Sequence, residues 1–365
     1  MARNDQPRIA IIGGGPIGLE AALRLSLRGL RYTLFERGEP GEHVGQWGHI
    51  RMFSPFGWNV TEAGIAAIRH EDPRHEFPEP GELVTGNDFR DSYLTPLGLT
   101  AKISEQTRGG CTIMSIGRSG CLRTDPYNDP RRVDAPFRIL YSEKSVEQVA
   151  EADIILDCSG TWRHYRFAGD GGIPAMGEIA ASKFVIRTPD DVLGAKRSIY
   201  AGKSIAVIGG GFSAATTVCA LAALAEEESA TWVIWLTRSL KSTPLPRFPG
   251  DPLRERDKLA AKANSLATRG DGNLEHHSQT RIQSIVSHGQ DKGFQITARC
   301  AGKEMIWEVD RVVTNVGYRP DPLMTAELVS GEPNYYILGA KGMDRDSNFL
   351  LKQGYEQVAK VVAGL

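Results

Sequence analysis

Gly13, Gly15 and Gly18 stand as G-x-G-x-x-G between the apolar run Ile9–Ile12 and a stretch with helical apolar spacing. The chemistry that uses this spacing is phosphate binding. The first glycine permits a tight turn, the second lets a pyrophosphate approach the backbone, and the third lets helix pack on strand. Free amides and the positive end of the helix dipole then hold the phosphates. Glu36 lies eighteen residues past Gly18, at the end of the alternating run Arg31–Phe35. A carboxylate there can grip both ribose hydroxyls. The pattern recurs as Gly209, Gly211 and Ala214, G-x-G-x-x-A, with Phe212 and Ser213 inside it. The strand after this second turn ends in Thr237 and Arg238, with Lys241 nearby, and carries no acid. A carboxylate would repel a 2′-phosphate, whereas arginine can bond it bidentately, so the second site is expected to prefer NADPH to NADH.

The elements that must position these residues are repeated. Ile9–Gly15 and Ile205–Gly211 agree at six of seven positions, and Glu151–Gly160 is echoed by Glu308–Gly317 in the same order. Four apolar residues form a strand buried on both faces, the glycines turn the chain, and a helix follows. The first helix runs through Leu19, Leu23 and Leu27 to a stop at Gly29; the second runs from about Ser213 to Leu224, before the strand Thr231–Leu236. Each copy is a βαβ unit. Cys111–Ile116 and Phe137–Tyr141 predict a small antiparallel addition to the first copy. Arg281–Ser287, Phe294–Ala298 and Met305–Val309 predict a similar one in the second. The proline-rich segment 243–252 reads as a loop, followed by a helix over Leu253–Leu266.

Composition bounds what such a chain can be. Its 365 residues suit two or three domains, and with 41% hydrophobic and 24% charged residues it is an ordinary globular chain. Lys+Arg is 43 against Asp+Glu 44, which removes the usual argument for a nucleic-acid or anionic-membrane partner. No run of 18 apolar residues predicts a membrane span, and glycines break the Ile9–Ile12 run too early for a signal peptide. Cys111, Cys121, Cys158, Cys219 and Cys300 are scattered, with no CxxC spacing, so neither a disulfide framework nor a metal site is indicated. The chain reads as a reduced, cytoplasmic protein.

With these motifs the sequence resembles the two-dinucleotide-binding-domain flavoproteins, which include thioredoxin-reductase-like enzymes and class B flavin monooxygenases. The likeness covers nearly the whole chain. It rests on Gly13-Gly-Gly-Pro-Ile-Gly18 with Glu36, on Gly209-Gly-Gly-Phe-Ser-Ala214 with Arg238, and on two linker-like signatures, Asp157-Cys-Ser-Gly-Thr161 and Thr314-Asn-Val-Gly-Tyr-Arg-Pro320. The implied fold is α/β, with two Rossmann-like domains, each a parallel sheet plus an antiparallel β-meander in three layers. An NADPH-binding domain, 199–315, is inserted in a discontinuous FAD-binding domain, 1–198 plus 316–365. The resemblance assigns FAD to Gly13, Gly15, Pro16, Gly18, Glu36 and Arg37, with Gly160, Gly317 and Gly339 at the linkers and the C-terminal turn. It assigns NADPH to Gly209, Gly211, Phe212, Ser213, Ala214 and Arg238. Tyr335–Ala340 resembles the strand that runs up to the flavin, but the family's Gly-Asp is Gly339-Ala340 here, with Asp344 and Asp346 as substitutes for the ribityl contact. Ser347 is expected to cap a helix beginning near Asn348 and Phe349, whose N-terminus would face the flavin. Dimers are common in the family, which makes a homodimer one expectation.

Gly45–Trp58 is the most distinctive segment, with Trp47, Phe53, Phe56 and Trp58 around His49, Arg51 and Ser54. In the family this loop lies along the flavin ring, where aromatics make the dry cavity that an oxygen intermediate needs. Trp47, Arg51, Phe53 and Ser54 are therefore expected against the cofactor. Arg51 is read as a charge amid apolar residues that needs an anionic partner. His49, Arg51 and Asn348 are the residues expected at the reaction centre. The absence of CxxC disfavours a dithiol reductase. The F-x-G-x-x-x-H fingerprint of many class B enzymes is only partly kept, with Val192, Gly194 and Ser198 in its places. The reading is an FAD-dependent, NADPH-consuming monooxygenase that uses a flavin hydroperoxide to oxygenate a small soluble substrate at an amine nitrogen or sulfur. Its partners would be that substrate and molecular oxygen. The alternative is an NADPH-dependent flavin reductase of a disulfide, quinone or protein acceptor.

Overall fold

Both glycine-tipped apolar runs are central strands. Ile9–Ile12 is buried throughout and pairs in parallel with Tyr32–Phe35 on one side and Ile154–Asp157 on the other. Ser204–Ile208 pairs likewise with Trp232–Leu236 and Arg311–Thr314. A computed structural model gives these positions and describes residues 6–162, 164–248, 250–269, 272–343 and 348–365. The chain divides into two compact units, Met1–Trp162 with Pro320–Leu365, and Arg163–Arg319.

The first unit holds a five-stranded parallel sheet in the order Tyr335–Ile337, Ile154–Asp157, Ile9–Ile12, Tyr32–Phe35, Thr107–Arg108. Helix Pro16–Leu27 packs on it through Leu19, Leu23 and Leu25, which are solvent-free. Burying each such side chain contributes about 1.5–3 kcal/mol. An antiparallel meander, Cys111–Arg118, Phe137–Glu143 and Val146–Ala152, is added as expected, with a third strand that sequence patterning did not reveal. Short helices between Phe56 and Ser104 form a layer the sequence reading did not describe. Glu20, buried in helix Pro16–Leu27, ties this layer to that helix by accepting from Arg24 (2.6 Å) and from the Thr61 hydroxyl (2.9 Å). The C-terminal helix is Leu351–Ala363, three residues later than the expected start near Asn348. Ser347, the expected cap, lies outside the described residues, and Leu350 holds the N-cap position.

The second unit repeats the plan. Its parallel sheet runs Leu274–His277, Trp232–Leu236, Ser204–Ile208, Arg311–Thr314, with helix Phe212–Glu227 after the glycine turn. Its meander is Thr280–Ser287, Phe294–Cys300 and Lys303–Val309. Each meander has a bulge two or three residues into its first strand, at Ile113/Ser115 and Ile282/Ser284. The repeat extends to single hydrogen bonds. Asp153 accepts the N–H of Arg8 (2.8 Å), and Asp310 accepts that of Ser204 (2.8 Å), each at the entry to its central strand.

Residues 164–198 were expected with the first domain but pack with the second unit. Ile186 bridges Val313 in parallel, Met176 bridges Ser284, and Ala168, Ala175, Ala181 and Val185 join the core of Ile282, Ile285 and Phe294. Glu178, fully buried, holds this segment in place by accepting the N–H groups of Ala168 and Ala175 and pairing with Arg187 at 3.3 Å.

Candidate functional site

At the first turn the glycines are required by contact as well as by conformation. Gly13 has φ +96°, and a Cβ there would meet the Cys158 carbonyl oxygen at 2.8 Å. A Cβ on Gly18 would stand 1.8 Å from the Gly13 carbonyl oxygen. The turn is thus clamped between its own helix and the first residues of the Cys158–Gly160 signature. Gly15 is the N-cap of helix Pro16–Leu27, and no side chain caps it. The helix amides are left for water or an anion. Glu36 is anchored at the turn, one carboxylate oxygen accepting the Gly14 N–H and the other the Gly38 N–H (2.8 Å). Each oxygen keeps lone-pair capacity for a ribose hydroxyl. Arg37 beside it is exposed.

The structure brings three other expected segments to this turn. Gly160 has φ +65°, and a Cβ there would meet nothing within 4 Å. Two residues on, Trp162 donates to the Gln46 side chain (2.8 Å), and its ring lies 6.4 Å from that of Trp47. Gly339, with φ +80°, rests on Ile17 in the first turn of the helix, 3.1 Å from Ile17 Cγ1 to its absent Cβ. At the position of the missing family aspartate, Ala340 is exposed. The next side chain, Lys341, turns inward to Asp157 (2.6 Å) and the Ser159 hydroxyl (3.0 Å), and both members of this ion pair are buried. Tyr335 and Ser159 complete the shell by donating their hydroxyls to Asp157. Sequence reasoning missed this pair, although a lysine after Gly339 and an acid ending an apolar strand were both visible. Asp344 and Asp346, the expected substitutes, lie outside the described residues.

One expectation is corrected, and the other residues of segments 45–58 and 348–349 are placed. Arg51 is exposed, not enclosed by apolar residues. Its backbone bridges Thr85, and its guanidinium donates to the Leu83 carbonyl (2.8 Å). Ser54 is buried and donates to Asn59 (2.8 Å), and Phe56 belongs to the core, while Phe53 is half-buried. His49 and Asn348 are exposed, and Phe349 packs over Gly354.

The second turn is built alike in its own unit. Gly209 has φ +141°, with the Asn315 carbonyl oxygen 2.2 Å from its absent Cβ, and its own carbonyl accepts the Trp235 indole N–H at 2.7 Å. Gly211 faces open space and is the uncapped N-cap of helix Phe212–Glu227. Gly211 and Ser213 are exposed, Ala214 is buried, and the Arg256 guanidinium lies 6.0 Å from the Phe212 ring. Beyond the strand, Thr237 is buried and pairs its hydroxyl with His276 (2.9 Å). Its N–H donates to the His277 carbonyl and its carbonyl accepts the Thr280 N–H. This fixes the backbone from which Arg238 projects, exposed and without a hydrogen bond or ion pair to the described residues. Burial pushes the His276 imidazole down to about 4. Gly317, φ +90°, lies in the matching signature, Thr314–Pro320.

All five cysteines are buried and unpaired. Burial raises the thiols of Cys111, Cys158 and Cys219, the last to about 11, so none of these three is an activated nucleophile. Among the described residues there is no group of metal-ligating side chains and no helix long and apolar enough to cross a membrane.

No family model matches the chain. Among curated proteins it is 33% identical over 93 residues to a glycine oxidase of Pseudomonas aeruginosa, covering 25% of each. It is 23% identical over 216 residues to the flavin-containing monooxygenase ustF1 of Aspergillus flavus, covering 56% of this chain and 48% of that one. The chain thus spans half or less of the length of these relatives. Solved structures align almost end to end. The bacillithiol disulfide reductase Bdr of Bacillus cereus matches with TM-score 0.66 and 16% identity over 99% of both chains. An L-lysine 6-monooxygenase of Pseudomonas syringae matches with TM-score 0.66 and 17% identity, over 98% of this chain and 99% of that one. A Kutzneria ornithine N-hydroxylase, solved with reduced FAD, NADP+ and L-ornithine, matches with TM-score 0.64 and 16% identity over 98% and 99%. The chain has the two-dinucleotide-binding-domain flavoprotein fold. Within that fold the chain carries two glycine turns of the same build, and what distinguishes them is the group at the end of the following strand.

Proposed function

We propose that the chain is an FAD- and NADPH-dependent monooxygenase that oxygenates an amine nitrogen or sulfur of a small substrate. One observation carries this reading: two uncapped glycine turns of the same build are followed by opposite charges, anchored Glu36 at the first and free Arg238 at the second. FAD belongs to the unit Met1–Trp162 with Pro320–Leu365, and NADPH to Arg163–Arg319. Gly13, Gly15, Pro16 and Gly18 cradle the FAD pyrophosphate, Glu36 takes the ribose hydroxyls, Gly160 leaves room for the rest of the cofactor, and Gly339 brings the C-terminal turn onto Ile17 beside it. Arg238 takes the 2′-phosphate of NADPH. Bound FAD supplies the electron transfer to oxygen, so no side chain is needed as a dedicated acid or base. Trp47 and Phe53 exclude water from the flavin, while His49, Arg51 and Asn348 offer polar contacts to the substrate. The lysine and ornithine hydroxylases of the same fold support an amine acceptor. Five unpaired thiols suit a reducing compartment, and we place the protein in the cytoplasm.

A second reading has its own support in the likeness to bacillithiol disulfide reductases, namely an NADPH-dependent reductase of a disulfide, quinone or protein acceptor. Against a relay through this chain's own thiols stands their burial. Purified protein separates the readings. The monooxygenase consumes oxygen and NADPH in step with oxygenated product when supplied with amines or thioethers. The reductase turns over NADPH with a disulfide or quinone under argon, and that result without amine or sulfur oxygenation would replace the first reading.

A further inference from the structure

One side chain at the first glycine turn has no part in the reading above. His43 lies on the short helix Glu42–Gly45. Gly41, at the head of that helix, has φ +73° and donates its N–H to the Gly14 carbonyl (2.9 Å), which ties the helix to the glycine turn. A Cβ built on Gly15 would stand 2.9 Å from His43 Cε1, with Nδ1 and Nε2 at 3.7 and 3.8 Å. The imidazole therefore fills the space that glycine leaves open, through which a pyrophosphate approaches the backbone. The ring is half-buried, and neither nitrogen has a hydrogen-bond partner among the described residues. The charges that act on it are Glu36, Arg37 and Glu42, while the Arg90 guanidinium stands against Gly45 two residues away. Burial lowers the proton affinity of the imidazole, so it rests as the neutral form with one N–H to donate.

We propose that His43 is a pyrophosphate-binding side chain, giving a ring N–H to a phosphoryl oxygen of the dinucleotide at the first turn. This rests on the first turn taking FAD. It adds a side-chain donor to a cradle otherwise made of backbone amides, and makes the loop after Glu36 part of the phosphate site.

Affinity for FAD by flavin fluorescence tests this, with ADP and adenosine as competitors, in the whole chain and in the His43→Leu and His43→Gln variants. His43→Leu is expected to weaken FAD and ADP about ten-fold or more, and to leave adenosine within about two-fold. His43→Gln, which keeps a donor, is expected to retain most of the affinity. In the unaltered protein the His43 ring-proton resonance should move with ADP and stay with adenosine, a readout independent of any variant's folding. FAD binding by His43→Leu as tight as or tighter than that of the unaltered protein would overturn the proposal, because the ring would then only occupy space. An equal loss for adenosine, or a resonance indifferent to ADP, would also overturn it. An unaltered protein that binds neither FAD nor ADP would sink the FAD reading itself, and this inference with it.

Discussion

Lys341 and Asp157 meet at 2.6 Å with almost no exposure, and the Asp157 carboxylate also takes the Tyr335 and Ser159 hydroxyls. Removing one partner leaves the other charged and dry, so Lys341→Met should destabilise the first unit by about 3–5 kcal/mol in urea unfolding. The double change Lys341→Met with Asp157→Leu should recover most of that loss, and an unrecovered loss would mean that the ion pair is not its source. Arg238 makes the opposite case, an exposed charge whose worth lies in a ligand. Arg238→Ala should raise the KM for NADPH roughly ten- to a hundred-fold, the loss of a charge-assisted bidentate contact, and leave that for NADH unchanged. Equal effects on both would take the 2′-phosphate away from Arg238. These two residues also show what a sequence discloses. The places of Glu36 and Arg238 were legible because each follows the end of a βαβ unit's second strand, which apolar patterning marks. Lys341 was not, since its partner is 184 positions away. Arg51 was misread because neighbours in sequence do not say which way a side chain leaves a bridged backbone.

Each glycine turn works as one element with the strand inside the second repeated segment, Ile154–Asp157 in one unit and Arg311–Thr314 in the other. Gly209→Ala would place a methyl 2.2 Å from the Asn315 carbonyl at a φ of +141°. The expected outcome is a protein that keeps its flavin but is no longer reduced by NADPH, read from the flavin absorbance under argon. Normal reduction would show that this turn does not hold the nucleotide. His276, on the edge strand Leu274–His277, gives a pH dependence to the same unit. Burial holds its folded imidazole near 4, against 6.5 for the exposed group, so between these values the unfolded chain binds the proton and the folded one does not. Stability of this unit is therefore complete above about pH 6.5 and falls as pH drops toward 4. Amide exchange of Trp232–Leu236 should follow that slope, and His276→Gln should flatten it; an unchanged slope would assign it to other groups. The parallel strands were legible from their apolar runs and repetition. The helices between Phe56 and Ser104 were not, although the Thr61 cap and the Thr85–Asp88 capping box mark two of their starts. Residues 164–198 pack with the second unit through pairings with strands more than a hundred positions on, which no local pattern announces.

At the scale of the molecule, duplicated βαβ units with opposite charges after their second strands carry the cofactor reading, near-neutral composition gives no electrostatic argument for nucleic acid, and burial of the thiols stands against a relay through them. The reaction itself was less legible, because the same fold serves reductases and oxygenases and does not by itself choose between them. The central claim is that electrons pass from NADPH to FAD and then to oxygen within a protected site. Its most direct test is to reduce the purified, flavin-loaded protein with NADPH under argon, mix it rapidly with oxygenated buffer, and follow the flavin spectrum. The account predicts reoxidation in two phases, with a spectrally distinct oxygenated species that outlives mixing and decays faster when an amine or thioether substrate is present. A single-phase return to the oxidised spectrum with release of peroxide, or reduced flavin that ignores oxygen, would contradict it.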